Sequence, residues 1–328
     1  MPIAVAGSIA TDHLMTFQGR FADSLIAEQL EKVSLSFLAD GLEIRRGGVG
    51  GNISFGMALL GASPVLVGAA GSDFADYRSW LERHGVDCSF VHISETAHTA
   101  RFVCTTDSVL AQIATFYPGA MSEAREIELA PVAERVGALD MVVIGPDDPE
   151  AMLRHTDECR DRGIPFAADP SQQMAFMDGE SIRRLIDGAD YLFTNEYESH
   201  LAEQKTGWSA EDIAGRVTTR VITRGADGCT VATRGEEPID VAVVPARTVA
   251  DPTGVGDAFR AGFLTALSWG LEHRHCAQLG AVMATHVVET VGTQEYADHL
   301  TGLRARLAET YGDADADAIA AHLPKGRA

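Results

Sequence analysis

The feature that most narrows what this chain can fold into is an alternation. Short apolar runs at residues 3–6, 65–68, 141–144, 166–168, 191–193, 221–223 and 229–232 recur between amphipathic segments at 53–60, 74–84, 149–162, 181–187 and 196–205. A continuous apolar run suits a strand buried on both faces, and an intervening helix supplies the crossover that parallel pairing needs. The expected fold is therefore α/β, a mainly parallel central sheet flanked by helices. Ligands of such sheets sit beyond the C-terminal ends of the strands. That rule singles out Ser8, Asp12 and the stretches 169–173, 195–198 and 224–228, all of which follow a run directly.

Two stretches break the alternation. Residues 11–46 show local alternation at Val33, Leu35 and Phe37, then Leu42-Glu43-Ile44. Residues 98–117 are β-branched and aromatic, with Phe102, Val103, Ile113 and Phe116. Both read as β-ribbons, which divides the chain into an α/β catalytic part (1–12, 47–96 and 119–328) and a small lid (13–46 and 97–118). Such a lid would cover a site or pair with a second subunit.

Charge removes several function classes. At −21 over 328 residues, the chain is unsuited to nucleic acid or an anionic membrane surface, both of which are held by Lys/Arg patches. No apolar run reaches transmembrane length, and residues 1–10 lack the basic flank of a leader. Cys88, Cys104, Cys159, Cys229 and Cys276 form no Cys-x-x-Cys pair, which suits reduced thiols and a cytoplasmic location.

Two glycine-rich turns carry chemistry. Gly47-Gly48-Val49-Gly50-Gly51-Asn52 opens a helical stretch, and its glycines permit close backbone approach to a ligand. A tight turn with Asn52 as helix N-cap explains it as well. Asp251-Pro252-Thr253-Gly254-Val255-Gly256-Asp257 precedes an apolar helical pattern at Phe259, Phe263, Leu264 and Leu267. It leaves backbone N–H groups uncovered at a helix N-terminus, where an anion is favoured. Asp257 is then either a capping carboxylate or a base beside that anion site. Neither turn has the spacing of a dinucleotide fingerprint or of a phosphate loop ending in Gly-Lys-Ser/Thr.

In order and separation the two turns resemble the signatures of the ribokinase-like (PfkB) family of carbohydrate and nucleoside kinases. Two further elements of that family stand between them, Asn195-Glu196-Tyr197-Glu198 and Thr223-Arg224-Gly225-Ala226-Asp227-Gly228. Pro252 departs from the small residue more common at its place. The resemblance implies Asp257 as general base, with the amides of Gly254, Val255 and Gly256 stabilising the transferring phosphoryl group. It implies ATP bound by Asn195, Thr223, Arg224, Gly225, Gly228 and Gly256, and Mg2+ reached through water by Glu198. K+ activation, common in the family, would use backbone carbonyls that residue identities do not reveal.

Within that family the similarity runs to the actinobacterial, mycobacterial-type adenosine kinases. It rests on residues 7–15, 32–38, 95–102, 116–125 and 168–173. The resemblance implies a ribose held by Ser8, Asp12, Ser36, Gly48 and Asn52, a base between Phe102 and Phe116, and Gln172 and Gln173 nearby. It also implies a homodimer paired through the lids. The expected reaction is ATP-dependent phosphorylation of the adenosine 5′-hydroxyl, giving AMP and ADP. The competing readings are a ribose or fructose kinase on the same scaffold and a catalytically silent nucleoside-binding protein. Phosphorylated sugars would call for basic residues, and the early lid offers Arg20, Lys32, Arg45 and Arg46.

Overall fold

The apolar runs become strands covered on both faces. All residues of β1 (Ile3–Ala6) are buried, and its side chains alternate between two cores: Ile3 and Val5 join one, Ala4 and Ala6 the other. A computed structural model describes residues 2–24, 36–296 and 301–324. In chain order the remaining strands are β2 (Ala10–Thr16), β3 (Gly41–Gly47), β4 (Val65–Gly71), β5 (Asp87–Ser94), β6 (Ala100–Thr106), β7 (Gln112–Tyr117), β8 (Met141–Ile144), β9 (Phe166–Ala168), β10 (Tyr191–Asn195), β11 (Thr219–Thr223), β12 (Cys229–Thr233) and β13 (Ile239–Val241).

Among the described residues, nine strands form one sheet in the order β13-β12-β11-β10-β9-β8-β1-β4-β5. Pairing is parallel from β11 to β5, and β12 and β13 extend that edge antiparallel. The expected α/β architecture is the one found. Helices Val49–Leu59, Val255–Ser268 and His273–Val288 bury Phe55, Phe263 and Val282 on one face of the sheet. Helices Pro149–Arg162, Gly179–Ile186 and Glu196–Thr206 bury Met152, Leu185 and Ala202 on the other. β5 has no expected run behind it, because its mixed burial is that of a sheet edge.

From β1 the sheet grows one way through β4 and β5, and the other way through β8, β9, β10 and β11. The crevice of such a sheet opens where the order reverses, between β1 and β8. There Ser8 N donates to Pro146 O at 2.9 Å, tying the two strand exits together.

A second sheet has the order β3-β2-β6-β7, with β2 and β6 parallel and the outer pairs antiparallel. It gathers the two ribbons into one four-stranded layer. Val33 and Leu35 lie outside the described residues. Phe37 is not in a strand; its ring packs on Phe17 and Phe21, with centroids 4.9 and 5.2 Å away.

The first glycine turn also differs from its reading as a turn capped by Asn52. The helix begins at Val49, Gly48 is its N-cap at φ 87°, and Asn52 lies inside. Gly50 is needed there because a Cβ would stand 2.6 Å from Gly7 O.

Candidate active site

Beyond the strand exits lies a cavity of about 910 Å3, lined from one side by Ser8, Pro146, Thr223 and the start of helix Val255–Ser268, and from the other by the small sheet. That volume suits a small-molecule site.

The helix start is built around Gly254, whose φ of 75° turns the chain into the helix. The amides of the first turn have no carbonyl four residues back and lie at the positive end of the helix dipole. Asp257 stands in this turn and reaches the cavity. Burial pushes its carboxyl up to about 6, against the opposing pull of the Asn52 amide and the Arg260 charge. Asn52 Nδ2 donates to Asp257 Oδ2 at 2.8 Å. Behind it, Thr293 Oγ1 and Gln294 Nε2 both donate to Asn52 Oδ1.

The small sheet contributes one row of side chains. Arg45, Asp12, Phe102 and Phe116 are cross-strand neighbours on β3, β2, β6 and β7, so they share a face, and all four line the cavity. Burial raises the Asp12 carboxyl to about 6, with Arg45 opposing it and Asp251 adding to it. Ser8 Oγ accepts from Val49 N, and Gly48 crosses so near that a Cβ would lie 2.5 Å from Ser8 O. Gln172 and Gln173 line the cavity; Gln173 Nε2 donates to Asp147 O, and Ser171 Oγ donates to Gln172 Oε1.

At the exits of β10 and β11, Asn195 and Glu198 form a reciprocal cap of helix Glu196–Thr206 and line the cavity with Thr223 and Gly225. Three residues named from the resemblance stand elsewhere. Ser36 is exposed and away from the cavity lining. Arg224 is also outside that lining; its guanidinium pairs with Asp240 at 3.0 Å and with Thr230. Gly228 shapes the turn into β12, at φ 83° and with no room for a Cβ beside Val241 O. Sequence reasoning passed over Thr293 and Gln294, which belong to no motif, and Arg260. For Arg260 a signal existed, since a charge within the apolar pattern of Phe259 and Phe263 needs a buried partner. That partner is Asp169 at 2.5 Å.

An open, mainly parallel sheet, a helix start with a carboxylate in its first turn facing the cavity, and a second β-sheet on the cavity's other side are the arrangement of a ribokinase-like phosphotransferase. The profile of the pfkB family of carbohydrate kinases matches residues 10–300, and the chain belongs to that family. It is 29% identical over 250 residues to a nucleoside kinase of Methanocaldococcus jannaschii, covering 76% of this chain and 80% of that one. A nucleoside kinase of Methanothermobacter thermautotrophicus matches at 29% over 252 residues, 76% of this chain and 80% of that one. Among solved structures, the Burkholderia thailandensis nucleoside kinase in complex with inosine superposes with a TM-score of 0.80 at 34% identity, over 94% of this chain and 98% of that one.

Proposed function

We propose that the chain is a purine-nucleoside kinase that transfers the γ-phosphoryl group of ATP to the 5′-hydroxyl of adenosine. The observation that carries this is the row Arg45, Asp12, Phe102 and Phe116 facing the cavity that holds Asp257. A carboxylate beside two aromatic faces fits a molecule that is polyhydroxylated at one end and flat at the other. A free sugar would leave the aromatic faces unused. The nucleoside kinases among the relatives support an acceptor of this class.

In the reaction the O5′–P bond forms as the bond from Pγ to the bridging β-oxygen breaks, and the hydroxyl proton passes to Asp257 Oδ1. The amides of Gly254, Val255 and Gly256 receive the charge on the transferring group. Among the described residues no cluster of three or more His, Cys, Asp or Glu could hold a metal alone. Mg2+ in such a reaction keeps several waters and binds mainly through phosphate oxygens. Glu198 would hold it through water, with Asn195 beside the phosphates. Held there, the ion would supply neutralisation of phosphate charge. K+ would bind at backbone carbonyls.

The division into a catalytic part (1–12, 47–96, 119–328) and a lid (13–46, 97–118) belongs to the same reading. The outer face of the lid exposes Leu42, Ile44, Ile113 and Tyr117, which supports a homodimer through paired lids. No described helix is long and apolar enough to cross a membrane; the cytoplasm remains the proposed location.

Coupled ADP release with adenosine, inosine, ribose and fructose as acceptors tests the reading. Adenosine should give the highest kcat/KM. Turnover of ribose or fructose with no nucleoside turnover overturns it, and absence of ATP consumption with any acceptor would point to a silent binder. Inosine is the specific rival, because the Burkholderia thailandensis relative has been solved with it; a preference for inosine would keep the class and change the base.

A further inference from the structure

The cavity is short of positive charge where a polyphosphate must react. Its described lining includes Asp12, Glu198, Asp251 and Asp257 but two cations, Arg45 and Arg260. Arg45 belongs to the lid and spends its guanidinium on Glu43 at 2.7 Å and Asp251 at 3.7 Å. Arg260 is one helical turn beyond Asp257, and only 7% of it is exposed.

Its guanidinium is held from behind. Nε and Nη2 each face an oxygen of the fully buried Asp169 at 2.5 Å, and the guanidinium carbon lies 5.9 Å from the centre of the Phe193 ring. Nη2 makes the hydrogen bond, Nε meets Asp169 Oδ2 as an ion pair without hydrogen-bond geometry, and Nη1 makes no hydrogen bond among the described residues. Nη1 lies against Gly256: a Cβ built there would come within 2.6 Å of it. The second glycine of the Gly254-Val255-Gly256 turn therefore makes room for the guanidinium as well as presenting an amide. A buried ion pair made for stability alone has no need to approach an anion-binding turn this closely, nor to line its cavity.

We infer that Arg260 is a catalytic residue, an arginine supplied from within the chain whose Nη1 donates to the γ-phosphoryl group as it is transferred, with Asp169 as the residue that positions it. The inference rests on the kinase reading above. The amides of the turn donate from the helix end and Nη1 from beside it, so the transferring group meets donors on two sides while Asp257 addresses the hydroxyl. A fixed cation in a water-excluded site needs no reorganisation as charge develops. The Asp169 carboxylate holds the guanidinium in a single orientation, which a lysine would not reproduce.

The test compares wild type, R260M and R260K for kcat and KM with adenosine and inosine. It adds calorimetric affinities for ADP, and for ADP with aluminium fluoride and nucleoside, as a mimic of the transferring group. R260M should lose on the order of 10²–10³ in kcat, with KM for nucleoside and affinity for ADP unchanged within about threefold. The extra tightening of ADP by aluminium fluoride should fall by a similar factor. R260K should recover only part of either. An R260M enzyme with wild-type kcat and wild-type fluoride tightening overturns the inference, as does parallel loss of ADP affinity, fluoride tightening and melting temperature. If R260M does not fold, R260K is judged by the same comparison, and its equality with wild type in both readouts is equally fatal. A wild-type chain that phosphorylates no nucleoside sinks the kinase reading and this inference together; an active wild type beside an equally active R260M sinks this inference alone.

Discussion

Asn52 Nδ2 stands 2.8 Å from Asp257 Oδ2, and the direction of that hydrogen bond is fixed from behind. Thr293 Oγ1 and Gln294 Nε2 lie 2.9 and 3.0 Å from Asn52 Oδ1. A carboxamide turned the other way would set its NH2 against the NH2 of Gln294 and its oxygen against a carboxylate, so only this orientation satisfies all four groups. One oxygen of Asp257 is thereby engaged, and Oδ1 is left for an acceptor hydroxyl. Asn52, expected from the sequence resemblance to hold a sugar, has its amide NH2 committed to Asp257.

Removing that amide should therefore act on proton transfer. In Asn52→Ala the donor that favours the charged carboxylate is gone, and Asp257 should hold its proton to higher pH. The acid limb of kcat against pH should move up, with a smaller move for Thr293→Val, which leaves the Gln294 bond intact. Identical acid limbs in wild type and N52A would separate Asn52 from the base.

The wild-type limb has a position of its own. With its carboxyl pushed up to about 6, Asp257 is protonated below that pH and free above it, as the proposed base must be. Activity should rise through pH 6 and then level. Asp257→Asn should lose on the order of 10²–10⁴ in kcat, keep its nucleoside KM, and show no limb near 6. Near-normal turnover in D257N would remove Asp257 from the mechanism.

What could be seen in advance follows from how far each signal reaches along the chain. The strands β1, β8 and β9 announced themselves because burial on both faces demands an unbroken apolar run. The glycines were legible as a cluster, yet their reason was not: Gly50 answers to Gly7 O and Gly254 to the Thr293 side chain, contacts across 43 and 39 positions. Thr293 and Gln294 meet Asn52 from more than 200 positions away, and no local pattern marks such residues. Arg224 shows the converse, since its motif is intact while its guanidinium turns to Asp240 on the neighbouring strand pair.

The two reasons for glycine can be separated by a pair of substitutions. Gly48 and Gly137 have nearly the same φ, 87° and 85°, but a Cβ at Gly48 meets Ser8 O and Ala10 N at 2.5 and 2.6 Å, whereas nothing lies within 4 Å of one at Gly137. Gly137→Ala should cost about 1–3 kcal/mol, the strain of the backbone alone, and leave activity untouched. Gly48→Ala adds a backbone clash at the junction between β3 and helix Val49–Leu59, and should lower melting temperature further and abolish turnover. Equal melting temperatures would mean that the clash relaxes freely.

Substrate choice should reside in the lid row. Phe102 and Phe116 are a direct cross-strand pair, and removing either ring takes away stacking surface without touching Asp257. Phe102→Ala and Phe116→Ala should raise KM for adenosine by roughly tenfold, as expected for the loss of about 1–3 kcal/mol of stacking, with kcat little changed. Any slow turnover of ribose should be unaffected. If F102A and F116A weaken ribose and adenosine alike, the rings close the lid without reading a base.

Asp147 offers a test of the fold that does not pass through catalysis. It is 3% exposed; its Oδ1 accepts from Asp148 N, its Oδ2 has no partner, and burial pushes its carboxyl up to about 8. The unfolded chain releases this proton near the ordinary value of 3.8. Between those values the folded state binds more protons than the unfolded one, so stability falls as pH rises, by up to about 1.4 kcal/mol per unit from this group. Asp12 and Asp257, also raised by burial, add slopes of the same sign below about 6. Asp147→Asn removes only its own share: its melting temperature should equal or trail wild type at pH 4, overtake it as pH rises, and lead it at pH 8. Melting curves that stay parallel across that range would show that Asp147 is ionised in the folded protein and held by a group other than those described.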